Sequence, residues 1–470
     1  MDNKHIKGVI LVSLTLLMGF TSCQVVNKYK SPDVDAADLF RGENPDDTTT
    51  IAAIPWRAYF TDTYLQALIE EGLEQNFDLR IAYTRIQQAE ANLSIAKSAY
   101  FPTAALVGQA QHTMRSVTSD GKKDLFGVNS GQFGLGIAVQ WEADIWGKIN
   151  RQHRARYAQY LSSHAYRNLI QTSLIANIAS SYYSLMALDE QLKITLQTIE
   201  LLKESTSAMQ DMMEAGMLNG AAVKQSEGLL YSTMISVPGL ENQIRRLENA
   251  LSMMLGRKPG PILRQTIGSQ SAPEILEKGV PAQMLAKRPD VIQAELAFRS
   301  AFEMKNAAQA ALYPSLTLGS GSMIGYGAAA LSGFFKPENL LATVIGGLTQ
   351  PLFAGNQLRA QVKIVKAQQE EALLNFQKTV LTAGQEVSDI LYAFESSRKK
   401  NDSRAQQVES LTTAVYYTQE LLKANEATYT EVLNAEQGLL QAQLGQVTDK
   451  LEQIQAAVNL YRALGGGTEY

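Results

Sequence analysis

The chain has 470 residues, a net charge of −4 and 19% charged residues, a balance that offers no broad basic surface to nucleic acid or another polyanion. Mean hydropathy is −0.13, and no uninterrupted apolar run reaches the ~18 to 20 residues that a spanning helix needs, so any membrane span must be β.

In chain order, the first feature is an export signal over 1–22. Lys4 and Lys7 precede the apolar run "GVILVSLTLLMGF", whose length suits a signal h-region of ~7 to 15 residues. The run ends at "FTSC". Ordinary cleavage prefers small residues at −1 and −3, where Ser22 fits and Phe20 does not. Thr21 and Ser22 before Cys23 resemble a lipoprotein signal better; an ordinary signal with an incidental cysteine is the alternative. Cys23 is the only cysteine, so it has no internal disulfide partner. No other cofactor is expected: its thiol would carry a covalent lipid, and a diacylglyceryl thioether with an N-acyl chain exceeds the two-chain requirement for stable anchoring. Residues 23–55 are polar, with three prolines, and read as a lipidated tether.

The rest of the chain is one unit written twice. Residues 76–106 align without gaps on 288–318, an offset of 212 that pairs Asp78 with Asp290, Ala82 with Ala294, and Phe101-Pro102 with Tyr313-Pro314. This sets a first repeat over 56–255, a linker over 256–287 and a second repeat over 288–470. Each aromatic-Pro pair ends a helix, because proline lacks the amide donor and pushes its predecessor into extended conformations. Strands are predicted at about 103–115, 131–145, 315–328 and 340–352, with lengths near the ~9 to 11 residues of tilted barrel strands. The second alternates most plainly: Phe133, Leu135, Ile137, Val139 and Trp141 share one face, opposite Gln132, Gly134, Gly136, Ala138, Gln140 and Glu142. That face is assigned to lipid; a soluble sheet with one buried face has the same pattern. The interruptions at 116–130 and 330–339 are expected to be hairpin tips.

Long helices follow at about 147–215 and 355–424, each returning after a short break as 221–255 and 431–464. From Lys148 to Ala215 there is neither Gly nor Pro, and at ~1.5 Å per residue such a segment exceeds any compact domain. At the breaks, offset by 209, Gly216 lies opposite Asn425, both residue types that tolerate the left-handed helix end. Four strands cannot close a barrel, and lipid tolerates no open edge, so the chain must oligomerise; a pore wider than eight strands favours at least three copies.

"WRAYFTDTYLQALIEEGLEQNFDLRIA", "RPDVIQAE", "PLFAGNQLRAQV" and "YTEVLNAEQGLLQAQ" through "NLYRALGGG", in order on a duplicated frame, resemble the TolC-like outer-membrane factors. The resemblance is to the lipid-anchored branch that serves tripartite efflux pumps of the resistance-nodulation-division type. It implies a mainly α fold with membrane β: a homotrimeric 12-stranded barrel in outer-membrane lipid, a periplasmic α-helical barrel and a mixed α/β belt. That belt would draw on 56–75, 256–287 and segments near 190–205 and 400–415. It also implies a passive duct, not an enzyme, partnered by a periplasmic adaptor and an inner-membrane pump. Relatives resemble each other in having Leu and then Asp at the constriction; here these positions are Thr430 and Asn434, with Tyr429 and Glu431 as neighbouring gate candidates. Gly216, Met217, Leu218 and Asn219, with Asn425, Glu426, Ala427 and Thr428, are the expected adaptor surface. Alternative readings are a protein-secretion duct and a non-conducting coiled-coil lipoprotein.

His5, His112, His153 and His164 show no ligand spacing, so no metal site is expected. Met209, Met212, Met213 and Met217 cluster at the first break, where thioethers could hold Cu(I) but serve equally as adaptable packing. "GSGSMIGYG" lacks the strand-to-helix setting of a phosphate loop, and no GxSxG nucleophile motif is present.

Overall fold

The computed structural model describes residues 28–32, 54–119, 122–270, 287–319, 322–424 and 426–468, with the backbone alone for 114–119 and 122–130. The elements are α1 (Trp56–Tyr59), α2 (Thr63–Gln75), α3 (Phe77–Ser98), β1 (Thr103–Ser119), β2 (Lys122–Ala143), α4 (Lys148–Glu214) and α5 (Gly220–Met254). After a 3-10 turn at Ile267–Ser269 come α6 (Pro289–Ala310), β3 (Ser315–Leu318), β4 (Met323–Ala328), β5 (Leu340–Thr343), β6 (Gly346–Thr349), α7 (Gln357–Lys423) and α8 (Tyr429–Ala463). The duplication is carried residue for residue. α3 and α6 both have 22 residues and start 212 positions apart; α4 and α7 both have 67, and α5 and α8 both have 35, each pair 209 apart. α5 runs through Pro238, although proline there removes one helical hydrogen bond.

The chain divides into two units. The first contains the sheet, antiparallel throughout, in four lanes: β1, β2, then β4 with β3, then β5 with β6. Three strand expectations need correction. The segment 116–130 is not a loose tip, because the β1–β2 ladder continues past one irregularity at Arg115/Val117 to Ser119↔Lys122. The predicted strand 315–328 is split into β3 and β4, since Gly319 adopts φ 110° and β2 changes partner there, from Leu318 opposite Trp141 to Met323 opposite Ala138. The predicted strand 340–352 is likewise split at Val344–Ile345 and ends at Thr349, two residues before Pro351.

The second unit holds the largest apolar core. α1 and α2 press Trp56, Tyr59, Leu65 and Ile69 against Ile175, Tyr182 and Met186 of α4, Leu251 of α5 and Tyr461 of α8. Tyr59 stacks on Tyr461 at 4.4 Å and its hydroxyl donates to the Ala457 carbonyl at 2.8 Å. Buried Asp62 caps α2 through the Tyr64 and Leu65 amides and also accepts from the Tyr182 hydroxyl at 2.8 Å, so the cap doubles as a tertiary tie. Arg288, at the start of α6, ties three elements together. Its guanidinium donates to Asp290 (2.8 and 3.1 Å), to Glu386 of α7 (2.8 Å) and to the Ala463 carbonyl of α8 (2.7 Å). Of the expected belt segments, 56–75 is α1 and α2, and 256–270 is irregular chain with the 3-10 turn. All strands among the described residues belong to the one sheet. No helix among them is long and apolar enough to cross a membrane.

Candidate functional site: helical tips and an apolar sheet face

The two helix-to-helix turns are copies of one another. Gly216 takes φ 76°, and the Met217 and Leu218 amides return to the Met212 carbonyl at 2.9 and 3.3 Å, satisfying an orphan carbonyl at the end of α4. Asn219 then caps α5 by accepting from the Ala222 amide at 3.2 Å. In the second turn the Glu426 and Ala427 amides return to the Leu421 carbonyl at 2.8 and 3.3 Å, each 209 positions on. Asn425 lies outside the described residues. Gly216, Met217, Asn219, Glu426 and Thr428 are exposed, Leu218 and Ala427 half-buried.

The four gate candidates separate by environment. Glu431 accepts from the Thr428 amide at 2.7 Å and from its hydroxyl at 3.1 Å, so its carboxylate is engaged in capping α8. Tyr429 packs with Met212, Met213 and Leu218 around buried Met209, Val223, Leu422, Val432 and Leu433. Three of the four clustered methionines therefore pack in the tip, while Met217 is 48% exposed. Thr430 and Asn434 remain exposed on one stripe of α8 that continues through Gln437 and Gln441, all without charge.

The apolar helix ends hide one acid that sequence reasoning missed. Glu436 is 2% exposed; in chain order it follows Val432 and Leu433 of the cluster just described and falls between Ala435 and Leu439 of a second, which also holds Val415. Gln419 Nε2 of α7 donates to its Oε1 at 3.0 Å, while Oε2 has no hydrogen-bond partner among the described residues. Burial pushes this carboxyl above the ordinary carboxylate range; the Gln419 amide, with the Ser205 hydroxyl near the carboxyl, opposes the shift without cancelling it. The signal was available: Val432, Leu433, Ala435 and Leu439 mark the buried face, and Glu436 falls on it by i, i+3 and i+4 spacing.

In the sheet, Phe133, Leu135, Ile137, Val139 and Trp141 share one face of β2. Across the lanes, Leu106, Ile137 and Ile324 stand opposite one another and are 75%, 50% and 57% exposed. On the other face Gly136 opposes Gly325, with a backbone separation that admits no Cβ on Gly325. Aromatic donors close the strand ends: Trp141 Nε1 donates to the Tyr100 carbonyl at 2.9 Å and Trp146 Nε1 to the Pro314 carbonyl at 2.7 Å. Cys23 lies outside the described residues.

Such a sheet, duplicated helical hairpins and paired tips are accompanied by a match to the family model described as outer membrane efflux protein, over residues 68–257 and 280–466. The chain belongs to the outer membrane efflux protein family. Among these efflux proteins it is similar to the probable outer membrane lipoprotein SilC of Salmonella typhimurium, 26% identical over 413 residues and 88% of each chain. It is also similar to the cation efflux system protein CusC of Escherichia coli strain K12, 25% identical over 463 residues, 97% of this chain and 99% of CusC. The solved outer-membrane channel OprN superposes with a TM-score of 0.86 at 25% identity, over 95% of this chain and 100% of that one. The fold is TolC-like. As an outer membrane efflux protein the chain is a channel of the outer membrane and no enzyme.

Proposed function

We propose that three copies of this chain form the exit duct of a tripartite efflux pump, with a 12-lane barrel in the outer membrane and a helical tunnel below it. The reading rests on one observation. β1 pairs only with β2, and β5 and β6 only with β4 and β3, so among the described residues the four-lane sheet keeps two unpaired edges beside an exposed apolar face. Lipid tolerates neither open edges nor a four-strand span, and neighbouring copies satisfy both requirements by pairing edge to edge. Phe133, Leu135, Ile137, Val139 and Trp141 then meet lipid, and Cys23 adds a covalent lipid anchor.

The duct carries its cargo without chemistry. An inner-membrane pump supplies the energy and a periplasmic adaptor meets Gly216–Asn219 and 425–428 at the tips, so the pump and adaptor set what is exported. Thr430 and Asn434 form the uncharged part of the closure. Purified protein should run as a heat-sensitive trimer, conduct in planar bilayers and carry lipid on Cys23 by mass spectrometry. Its deletion should lower tolerance to metal ions, solvents or drugs. A monomer without conductance, from a strain whose tolerance is unchanged on deletion, would overturn the reading.

A further inference from the structure

The tip contains a titratable group that none of the duct's expected parts requires. Glu436 is 2% exposed on the buried face of α8, with Gln419 of α7 donating to one oxygen at 3.0 Å and Ser205 of α4 facing the same carboxyl. The other oxygen is buried without a hydrogen-bond partner among the described residues. A hydroxyl pair, Thr206 of α4 with Ser226 of α5 at 2.6 Å, lies one residue on from Ser205 and leaves α5 joined to α4 by neutral groups. Charged residues of the surrounding turns point outward into pairs of their own. Lys203 bonds Glu200 on α4, Lys224 bonds Glu227 on α5, Lys423 bonds Glu420 on α7 and Glu431 bonds Thr428 on α8. Glu204, beside Ser205, is exposed. Among the described residues, then, the cations of these turns are engaged with other carboxylates than Glu436.

A buried carboxylate with one oxygen lacking a donor is costly, whereas the neutral acid is tolerated in the same packing. We propose that Glu436 is a proton lock: in the packed tip it is held as the neutral acid, and loss of its proton loosens the contact of α8 with α4 and α7. The proton leaves Oε2 for water, and the carboxylate left behind draws water or a counter-charge into the helix ends. The sign follows from the direction of the shift. A carboxyl held above its ordinary value stabilises the packed tip below that value, and this contribution is lost as pH rises through the raised one. The tip therefore opens more readily as the periplasm becomes less acidic. This regulation rests on the duct reading above, but the ionisation and the loosening can be measured without conductance.

The test compares the full-length, detergent-purified protein with Glu436→Gln, which is neutral at every pH and close in shape, and with Gln419→Leu, which removes the donor that favours the ionised form. Infrared difference spectra against Glu436→Gln should show a protonated-carboxyl stretch that persists well above the ordinary carboxylate range and then titrates away. Hydrogen exchange of the amides of 426–439, corrected for intrinsic pH dependence, should rise at least tenfold through the same midpoint. Glu436→Gln should show no rise, and Gln419→Leu should move the midpoint upward. Absence of the carboxyl band above the ordinary range, or an equal exchange rise in Glu436→Gln, overturns the lock. In bilayers the open fraction should follow the same curve. If the band and the exchange titrate together while the protein never conducts, the lock stands and the duct reading fails.

Discussion

Gly319 lies against the backbone of Val139: a Cβ added at Gly319 would fall on the Val139 carbonyl oxygen, and the φ of 110° is one that side-chain-bearing residues rarely adopt. The approach lets β2 hand over from β3 to β4 within one lane. The Gly319 amide donates to the Ile345 carbonyl at 2.8 Å, and the Val139 amide to the Ser322 carbonyl at 3.3 Å.

Gly319→Ala should therefore disrupt the sheet, since backbone strain of about 1–3 kcal/mol adds to an overlap that no side-chain movement relieves. The yield of heat-sensitive trimer on semi-native gels should fall severalfold. Gly228→Ala, at an exposed position of α5 with open space around the Cβ, is the contrast. It should raise thermal stability by about 0.5–1 kcal/mol through helix propensity.

Charge placed on the two faces of β2 should separate lipid from bore. Ile137→Lys puts an ammonium in the exposed apolar row with Leu106 and Ile324, at a cost of about 2–4 kcal/mol near the bilayer midplane. Ala138→Lys, one residue on and facing the opposite way, should insert normally. Membrane fractionation with trimer gels reads the difference; equal losses in both variants would contradict the facing assigned here.

Glu431 and Thr428 should behave as a cap. Glu431→Ala removes the carboxylate that accepts from the Thr428 amide and hydroxyl, and should lower stability at the start of α8 by about 0.5–2 kcal/mol. Hydrogen exchange at 429–434 should speed up while ion selectivity of the duct stays as in the parent. A changed selectivity with unchanged exchange would make Glu431 a gate residue instead.

Arg288 should be intolerant even of lysine. Arg288→Ala leaves the half-buried Asp290 carboxylate without its cation, Glu386 with Arg462 alone, and the Ala463 carbonyl without the Arg288 donor, a loss towards the lower end of the about 3–5 kcal/mol for a broken buried pair. Lysine cannot reproduce the planar fork that reaches all three partners, so Arg288→Lys should recover less than half of the lost stability in thermal unfolding of the purified protein.

Much of the fold was legible because its signals are local or periodic. A helix is closed by bonds four residues apart, so the absence of Gly and Pro from Lys148 to Ala215 is enough to predict α4 within a residue at each end. Capping chemistry is equally local, and Gly216 marks its turn in the sequence. The β1–β2 hairpin was misjudged for a different reason. Its polar outer half hides the alternation, whereas the ladder runs on to Ser119↔Lys122.

By itself, then, the sequence determined the duplication, the helix lengths, the antiparallel hairpins and, through the apolar face of β2, the need for partner strands, because each is written in spacing along the chain. Only the tertiary structure decided where β2 changes partner, that Arg288 joins α6 to α7 and α8, and that Glu436 meets Gln419 of α7 through one oxygen while its other oxygen is buried without a donor among the described residues. Those outcomes depend on groups distant in sequence meeting at van der Waals range, where one missing donor or one absent Cβ settles what a residue can do.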